Sequence, residues 1–341
     1  MAEPAILIWG AGAIGGTIGA YMRRAGHDVT FVDRAADHVS AMNRDGLAIT
    51  GPVTEFKVAA PALLPSQVAG RYQVVLLCVK AQDTAEAAQA IEPHLAATGC
   101  IVSVQNGLNE LVIADIVGKP RTVGAFVNFG ADYLSPGVIL YGGRGAVVVG
   151  EIDGRRTHRA EMLHRLLLDF DDRAVLTGNI WGYLWAKLAY GAMLFATALT
   201  DASIADCLAS ERHRQLFVAL PQEVLRIAAA EGIRPESFDG FDPAAFMPGA
   251  SPADARKSLD ALVEHNRRSA KSHSGIWRDL AVRKRKTEAE HQLGPIVAAA
   301  KRHNLVAPLT DRTIALIREI EDGRRKQEWA GLDLLADMVP A

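Results

Sequence analysis

The first 33 residues constrain the fold more than any other stretch of this chain. Ala5 to Trp9 is a short apolar run, Gly10-Ala11-Gly12-Ala13-Ile14-Gly15 follows at once, helix-compatible sequence continues to Ala25, and Gly26 stands where a helix would stop. Asp28-Val29-Thr30-Phe31-Val32-Asp33 then alternates as a β-branched strand does. Strand, glycine turn, helix and strand within this length make one βαβ unit.

The glycine spacing gives that unit a chemistry. Gly10 can make the tight turn, Gly12 can let a pyrophosphate approach the backbone, and Gly15 can let helix and strand pack closely. The helix start at Ala13 and Ile14 supplies backbone N–H groups and a partial positive charge to the phosphates. Because the motif follows a strand and opens a helix, a dinucleotide site is expected rather than a merely glycine-rich turn. At the end of the second strand Asp33 is placed to bind ribose hydroxyls, which favours NAD, while Arg34 could pair with the 2′-phosphate of NADP. The carboxylate tips the expectation slightly toward NAD(H).

Further strands are expected at Val74 to Val79, Ile101 to Val104, Val123 to Val127, Val138 to Tyr141 and Val147 to Gly150, with helices at Thr84 to His94 and Asn109 to Val117. Alternating strands and helices imply a mostly parallel sheet covered on both faces, and the closely spaced later strands suggest an antiparallel edge. After the last β-like run, Ala174 to Leu176, helical sequence dominates at 181–200, 211–231, 252–273, 284–303 and 310–323. The expected organisation is an α/β dinucleotide-binding domain over 1–178 and an all-α substrate domain over 179–341.

Partners are bounded by charge and length. Two domains fit 341 residues. With 37 basic against 39 acidic residues the net charge is −2, so no overall field draws the chain to nucleic acid or an anionic membrane. Cys78, Cys100 and Cys207 form no CxxC pair, so reduced, mostly buried thiols in a cytoplasmic protein are expected, with no metal site. The start Met1-Ala2-Glu3-Pro4 implies no export, and the apolar stretch Leu188 to Leu199 is too short for a membrane span and reads as a core helix.

Ordered landmarks carry a resemblance over nearly the whole length. Gly10 to Gly15, Val79-Lys80, Gln105-Asn106-Gly107, Trp185-Ala186-Lys187-Leu188 and Lys286-Thr287-Glu288 together resemble the ketopantoate reductase (2-dehydropantoate 2-reductase) family. The resemblance implies a Rossmann-like N-domain, a C-domain of the 6-phosphogluconate dehydrogenase type, and NADP(H)-dependent reduction of a 2-oxo acid to a 2-hydroxy acid. It makes Lys187 the catalytic lysine and Glu288 its partner carboxylate, and assigns Lys80 and Asn106 to cofactor and substrate. From the residues alone, a lysine among Leu184, Trp185, Leu188 and Ala189 would lose hydration and be tuned as a general acid, although a snorkelling lysine fits as well. Asn106 also fits a plain turn, Lys80 an exposed strand end, and Glu288 an exposed helix residue.

The chain departs from the family at the substrate. Asparagines are expected four and eight residues after the catalytic lysine, and here those positions are Gly191 and Phe195. A mid-helix glycine suggests that something packs closely on it, either a bulkier substrate or a neighbouring helix. The family's substrate serine falls near Ser274, and the run Arg283-Lys284-Arg285-Lys286 reads as a solvated helix face, from which one arginine could grip a carboxylate. A reductase of a larger or more apolar carbonyl substrate is therefore expected, and long apolar helices make a homodimer through the helical domain a fitting assembly. The alternatives are an imine- or opine-type reductase and a non-catalytic dinucleotide-binding regulator.

Overall fold

The computed structural model describes residues 4–268 and 272–339. The chain separates into two compact units, Met1–Ile180 and Trp181–Ala341.

The first unit runs β1 (Ile6–Trp9), α1 (Ala13–Arg24), β2 (Val29–Val32), α2 (Ala36–Asp45), β3 (Leu47–Thr50), β4 (Phe56–Val58), β5 (Ala62–Leu63), β6 (Tyr72–Leu77), α3 (Thr84–Ile91), β7 (Leu95–Ser103), α4 (Asn109–Val117), β8 (Thr122–Val127), β9 (Gly130–Ser135), β10 (Val138–Gly143), β11 (Val147–Glu151), α5 (His158–Leu168) and β12 (Val175–Leu176). Eight strands form one sheet in the order β12-β11-β8-β7-β6-β1-β2-β5. Its pairs are parallel except β8 with β11. Alternation along β1 sends Ile6 and Ile8 to one face and Leu7 and Trp9 to the other, and both faces are buried. The second face is covered by Ala87, Ala88 and Ile91 of α3 and Ile113 and Val117 of α4. Strand order reverses between β1 and β6, so the glycine turn after β1 opens at the switch point where such sheets bind ligands.

The expected antiparallel strand is there at β11, one place in from the edge strand β12, which pairs with it in parallel, but β10 goes elsewhere. It pairs in parallel with β3 and antiparallel with β9 in a separate sheet of order β4-β3-β10-β9. Helix α1 lies between the two sheets, and its glycines make room for both. A Cβ on Gly19 would stand 2.5 Å from Phe31 Cε1 of the main sheet, and one on Gly16 would stand 2.3 Å from Ile139 Cδ1 of the second. Side chains on those faces would push the layers apart.

The second unit is helical: α6 (Ile180–Thr197), α7 (Ile204–Ala209), α8 (Arg214–Ala230), α9 (Pro252–Arg268), α10 (Gly275–Ala281), α11 (Ala289–Arg302), α12 (Pro308–Glu321) and α13 (Trp329–Ala336). α7 packs on α9, and α8 on α9, α11 and α12. The buried Glu223 of α8 accepts from Leu309 N, Thr310 N and Thr310 Oγ1, satisfying N–H groups at the start of α12. The helix expected over 284–303 begins only at Ala289, and the one expected over 252–273 ends at Arg268, with 269–271 outside the described residues. Among the described residues no helix is long and apolar enough to cross a membrane.

Candidate active site

In the nucleotide unit the turn after β1 is held by Gly10 N and Ala11 N, which both donate to Val32 O. Gly10 has φ +99, a conformation that only glycine adopts cheaply, and a Cβ there would stand 2.9 Å from the Cys78 carbonyl carbon and Val79 N. A Cβ on Gly15 would stand 2.2 Å from Gly10 O. Gly12, by contrast, has nothing within 4 Å of that position. Two glycines thus close the turn against its neighbours, while the middle one leaves open space over the start of α1 at Ala13 and Ile14. This cradle fits a dinucleotide pyrophosphate.

Sequence reasoning missed a clamp on this turn. His38, in α2 and 1% exposed, has Nε2 2.9 Å from Ala11 O and accepts from Gly137 N at Nδ1, also 2.9 Å. Because Gly137 N–H can only donate, Nε2 must carry the ring proton and donate to Ala11 O.

At the end of β2, Asp33 Oδ1 accepts from Ala35 N, and Arg34 is largely exposed with Nη1 3.4 Å from Asp83 Oδ1. Lys80 is half-buried at the start of the turn Ala81–Asp83, and Asn106 is exposed beside Gly107 at φ +103. A buried polar chain joins these two loops. Gln105 Nε2 donates to Val79 O and Thr84 Oγ1, Thr84 Oγ1 donates to Asn109 Oδ1, and Asn109 Nδ2 donates to Asn106 O. Gln105 lay inside a recognised motif, whereas Thr84 and Asn109 carried no signal beyond being polar at the starts of helices.

Glu110 is a second surprise. It is fully buried in α4 beside Gly124, and burial pushes its carboxyl up to about 8. The three cysteines are free thiols. Burial raises all of them, Cys100 to about 11 and Cys207 to about 12, so none is a ready thiolate at neutral pH.

In the helical unit, Lys187 is half-buried among the fully buried Leu184, Trp185, Ala186, Leu188 and Ala189. The other half-buried positions of α6 near it are Tyr183, Tyr190, Gly191 and Leu194. At about 100° per residue, Tyr183, Leu194 and Tyr190 fall within about 60° of Lys187 on one side and Gly191 about 40° away on the other. They form one partly open stripe. Phe195 lies about 80° from Lys187 on the same geometry and is 1% exposed, in the core rather than on that stripe. Of the two readings of Gly191, the neighbouring helix is not there: a Cβ would meet nothing within 4 Å.

Tyr190 is backed by an aromatic group that was not anticipated. Its ring lies 5.5 Å from Phe241 and 6.3 Å from Phe238, and Phe241 stacks on Phe246. Burial raises the Tyr190 hydroxyl above its usual range, with a hydrogen bond to Asn266 opposing. The segment also joins α6 through Glu236 N, which donates to Gly182 O. Its signal was three phenylalanines flanking Asp239-Gly240 and Asp242-Pro243.

Glu288 is half-buried and immediately precedes α11, where its carbonyl accepts from Gln292 N. Its neighbour Thr287 donates both N and Oγ1 to Glu321 Oε1 at 2.7 Å, and Ala289 N donates back to Thr287 Oγ1. Lys187 and Glu288 are both engaged in interactions of their own. Ser274 is 3% exposed and caps α10, its Oγ accepting from Trp277 N. The basic run is a loop rather than a helix face. Asp279 draws Arg283 and Arg285 to 3.0 Å, and Lys284 between them takes φ +48.

Comparison with known proteins agrees with this layout. The family described as Ketopantoate reductase PanE/ApbA matches residues 6–154, and its C-terminal counterpart matches 179–321. A 2-dehydropantoate 2-reductase of Archaeoglobus fulgidus is 29% identical over 321 residues, covering 93% of this chain and 98% of the relative. One from Pyrococcus horikoshii is 27% identical over 318 residues, covering 93% and 97%. Among solved structures, a ketopantoate reductase from Ralstonia eutropha JMP134 superposes with TM-score 0.79 at 27% identity, covering 94% of this chain and 99% of that one. D-mandelate dehydrogenase with NADH and anilino(oxo)acetate superposes with TM-score 0.80 at 21% identity and the same coverage.

Proposed function

This chain belongs to the ketopantoate reductase family, hence to the NAD(P)H-dependent oxidoreductases, and we propose that it reduces a 2-oxo acid larger than 2-dehydropantoate to the 2-hydroxy acid, with NADH preferred. The observation that carries the substrate reading is the open space at Gly191, one helical turn from Lys187, where the family resemblance calls for an asparagine.

Bound in the cradle of Gly10, Gly12 and Gly15, the reduced dinucleotide supplies a hydride for the carbonyl carbon. Lys187 donates a proton from its ammonium group to the carbonyl oxygen as negative charge develops there, a contribution of roughly 10²- to 10⁴-fold. The products are the hydroxy acid, the oxidised dinucleotide and a neutral lysine, which regains its proton from water. Glu288 is the carboxylate that orients the lysine. Lys80 and Asn106, whose loops are tied together through Gln105, Thr84 and Asn109, orient the nicotinamide end and the substrate carboxylate. Ser274, held as a helix cap, keeps a hydroxyl hydrogen with which it can donate to a substrate oxygen.

The preference for NADH rests on charge. Arg34, the candidate partner of a 2′-phosphate, is flanked by Asp33 and faces Asp83, so a phosphate there would meet two carboxylates. The pair itself is exposed and worth at most about 1 kcal/mol, so it biases the choice rather than enforcing it.

Titration with NADH and NADPH by tryptophan fluorescence, alongside Asp33→Ala and Arg34→Ala, tests the cofactor. Tighter NADH binding that weakens in Asp33→Ala supports the reading, and tighter NADPH binding lost in Arg34→Ala reverses it. Lys187→Ala should leave dinucleotide affinity intact while cutting turnover of 2-oxo acids by about 10²-fold or more. Unchanged turnover would remove Lys187 from the chemistry.

A further inference from the structure

Building on the reduction of a 2-oxo acid at Lys187, we infer that the side chain of the substrate is an aryl ring, seated over Gly191 and against the ring of Tyr190. Three observations converge on that shape. The stripe of α6 around Lys187 offers Tyr183, Tyr190, Gly191 and Leu194, with no amide or second charge on it. Apart from Lys187 its polar atoms are the two tyrosine hydroxyls, and that of Tyr190 is hydrogen-bonded to Asn266, so beside Gly191 and Leu194 the polar groups of a hydroxylated side chain would lose water with little replacement.

At Gly191 the floor of the stripe is bare helix backbone, open for at least 4 Å above the position of a Cβ. Its openness answers the question of why glycine stands in mid-helix at a cost of about 1 kcal/mol relative to alanine: no neighbouring element needs the room. A flat floor suits a flat group. An extended alkyl chain would also be apolar, but it would order several rotors on binding where a ring orders few.

The wall is aromatic and fixed. Tyr190 is half-buried, with its hydroxyl hydrogen-bonded to Asn266 and its ring held against Phe238 and Phe241. A ring that is already immobilised binds a second ring at little entropic cost, in the offset or edge-on arrangements that aromatic pairs prefer. Leu194 closes the apolar stripe one turn further along.

Steady-state kinetics with phenylglyoxylate, phenylpyruvate, 2-dehydropantoate and pyruvate, with saturating dinucleotide, test the inference. The wild-type protein should favour the better aryl acid over 2-dehydropantoate by about 10- to 100-fold in kcat/KM, the worth of one buried aromatic group. Gly191→Asn, which fills the open space with an amide, should collapse that ratio, mainly by raising KM for the aryl acid. Gly191→Ala should lower the ratio part way. Thermal unfolding of each variant reports that the helical unit is intact, and dinucleotide affinity reports the same of the nucleotide unit. Preference of the wild type for 2-dehydropantoate or pyruvate, or a ratio unmoved in Gly191→Asn, overturns the aryl assignment while leaving a 2-oxo acid reductase in place. Binding of dinucleotide without turnover of any of the four acids would instead overturn the reductase reading, and the aryl assignment with it.

Discussion

His38 donates its Nε2 proton to the carbonyl of Ala11 and accepts from the amide of Gly137, so one buried imidazole fastens the phosphate-binding turn to the β9–β10 hairpin of the second sheet. His38→Leu would leave a buried carbonyl and a buried N–H without partners, at about 1–3 kcal/mol each. We expect KM for the dinucleotide to rise about 10-fold or more with kcat at saturation little changed. His38→Gln, with one donor and one acceptor, should recover part of the affinity. A variant that loses kcat and keeps its KM would mean the histidine serves only general stability.

Glu110 makes stability depend on pH with a definite sign. Its carboxyl titrates at about 8 in the folded protein and near 4.5 when unfolded. Between those values the native state binds more protons than the unfolded chain, so stability is greatest below about pH 4.5 and declines as pH rises toward 8, by several kcal/mol at most on the order-of-magnitude scale of linkage. Glu110→Gln removes this dependence. Denaturant unfolding at pH 5, 7 and 8.5 should show the variant gaining on the wild type as pH rises. Parallel curves for the two proteins would place the titration elsewhere.

Two glycines in helices should answer alanine in opposite ways. Gly15→Ala places a methyl 2.2 Å from a backbone carbonyl that cannot turn aside, and should cost more than 1 kcal/mol together with dinucleotide affinity. Gly191→Ala meets nothing and should raise the melting temperature, by up to about 1 kcal/mol of helix propensity. Stabilisation bought with a narrower substrate range is a trade familiar at binding sites. Equal destabilisation in both variants would contradict the open space at Gly191.

Glu321 is expected to position Glu288. Its carboxylate receives both the amide and the hydroxyl of Thr287, the residue preceding Glu288. Glu321→Ala should lower kcat more than it raises KM and should shift the pH profile of turnover, because the carboxylate proposed to orient Lys187 is displaced. Loss of melting temperature with an unshifted profile would reduce Glu321 to a structural bond.

What the sequence made legible was local. The β1-α1-β2 unit, the turn and packing roles of Gly10 and Gly15, and α4 at Asn109–Val117 follow from periodicity and turn chemistry within a few residues. The second sheet was not legible, because β3 and β4 have four and three residues and β3 finds its parallel partner β10 some ninety positions later. On α6 the error was angular. Counting eight residues from Lys187 selects Phe195, whereas seven brings Leu194 almost into line, and a rotation of about 100° per residue separates a stripe position from a core one. Asp279 shows a third kind of gap: charge counting read its arginines as a solvated helix face, and only the fold shows them, still exposed, on a loop around a buried carboxylate.

The position of α1 between two sheets limits how this nucleotide half can be exchanged. In a simple Rossmann unit the glycine turn and its helix form a cassette that could be moved between proteins. Here Gly16 is matched to Ile139 and Ala11 is tethered to Gly137 through His38, so the cassette carries complementary surfaces for a hairpin encoded more than a hundred residues downstream. A graft of residues 5–33 alone would arrive without its counterpart. Recombination, natural or engineered, should succeed only where both excursions travel together.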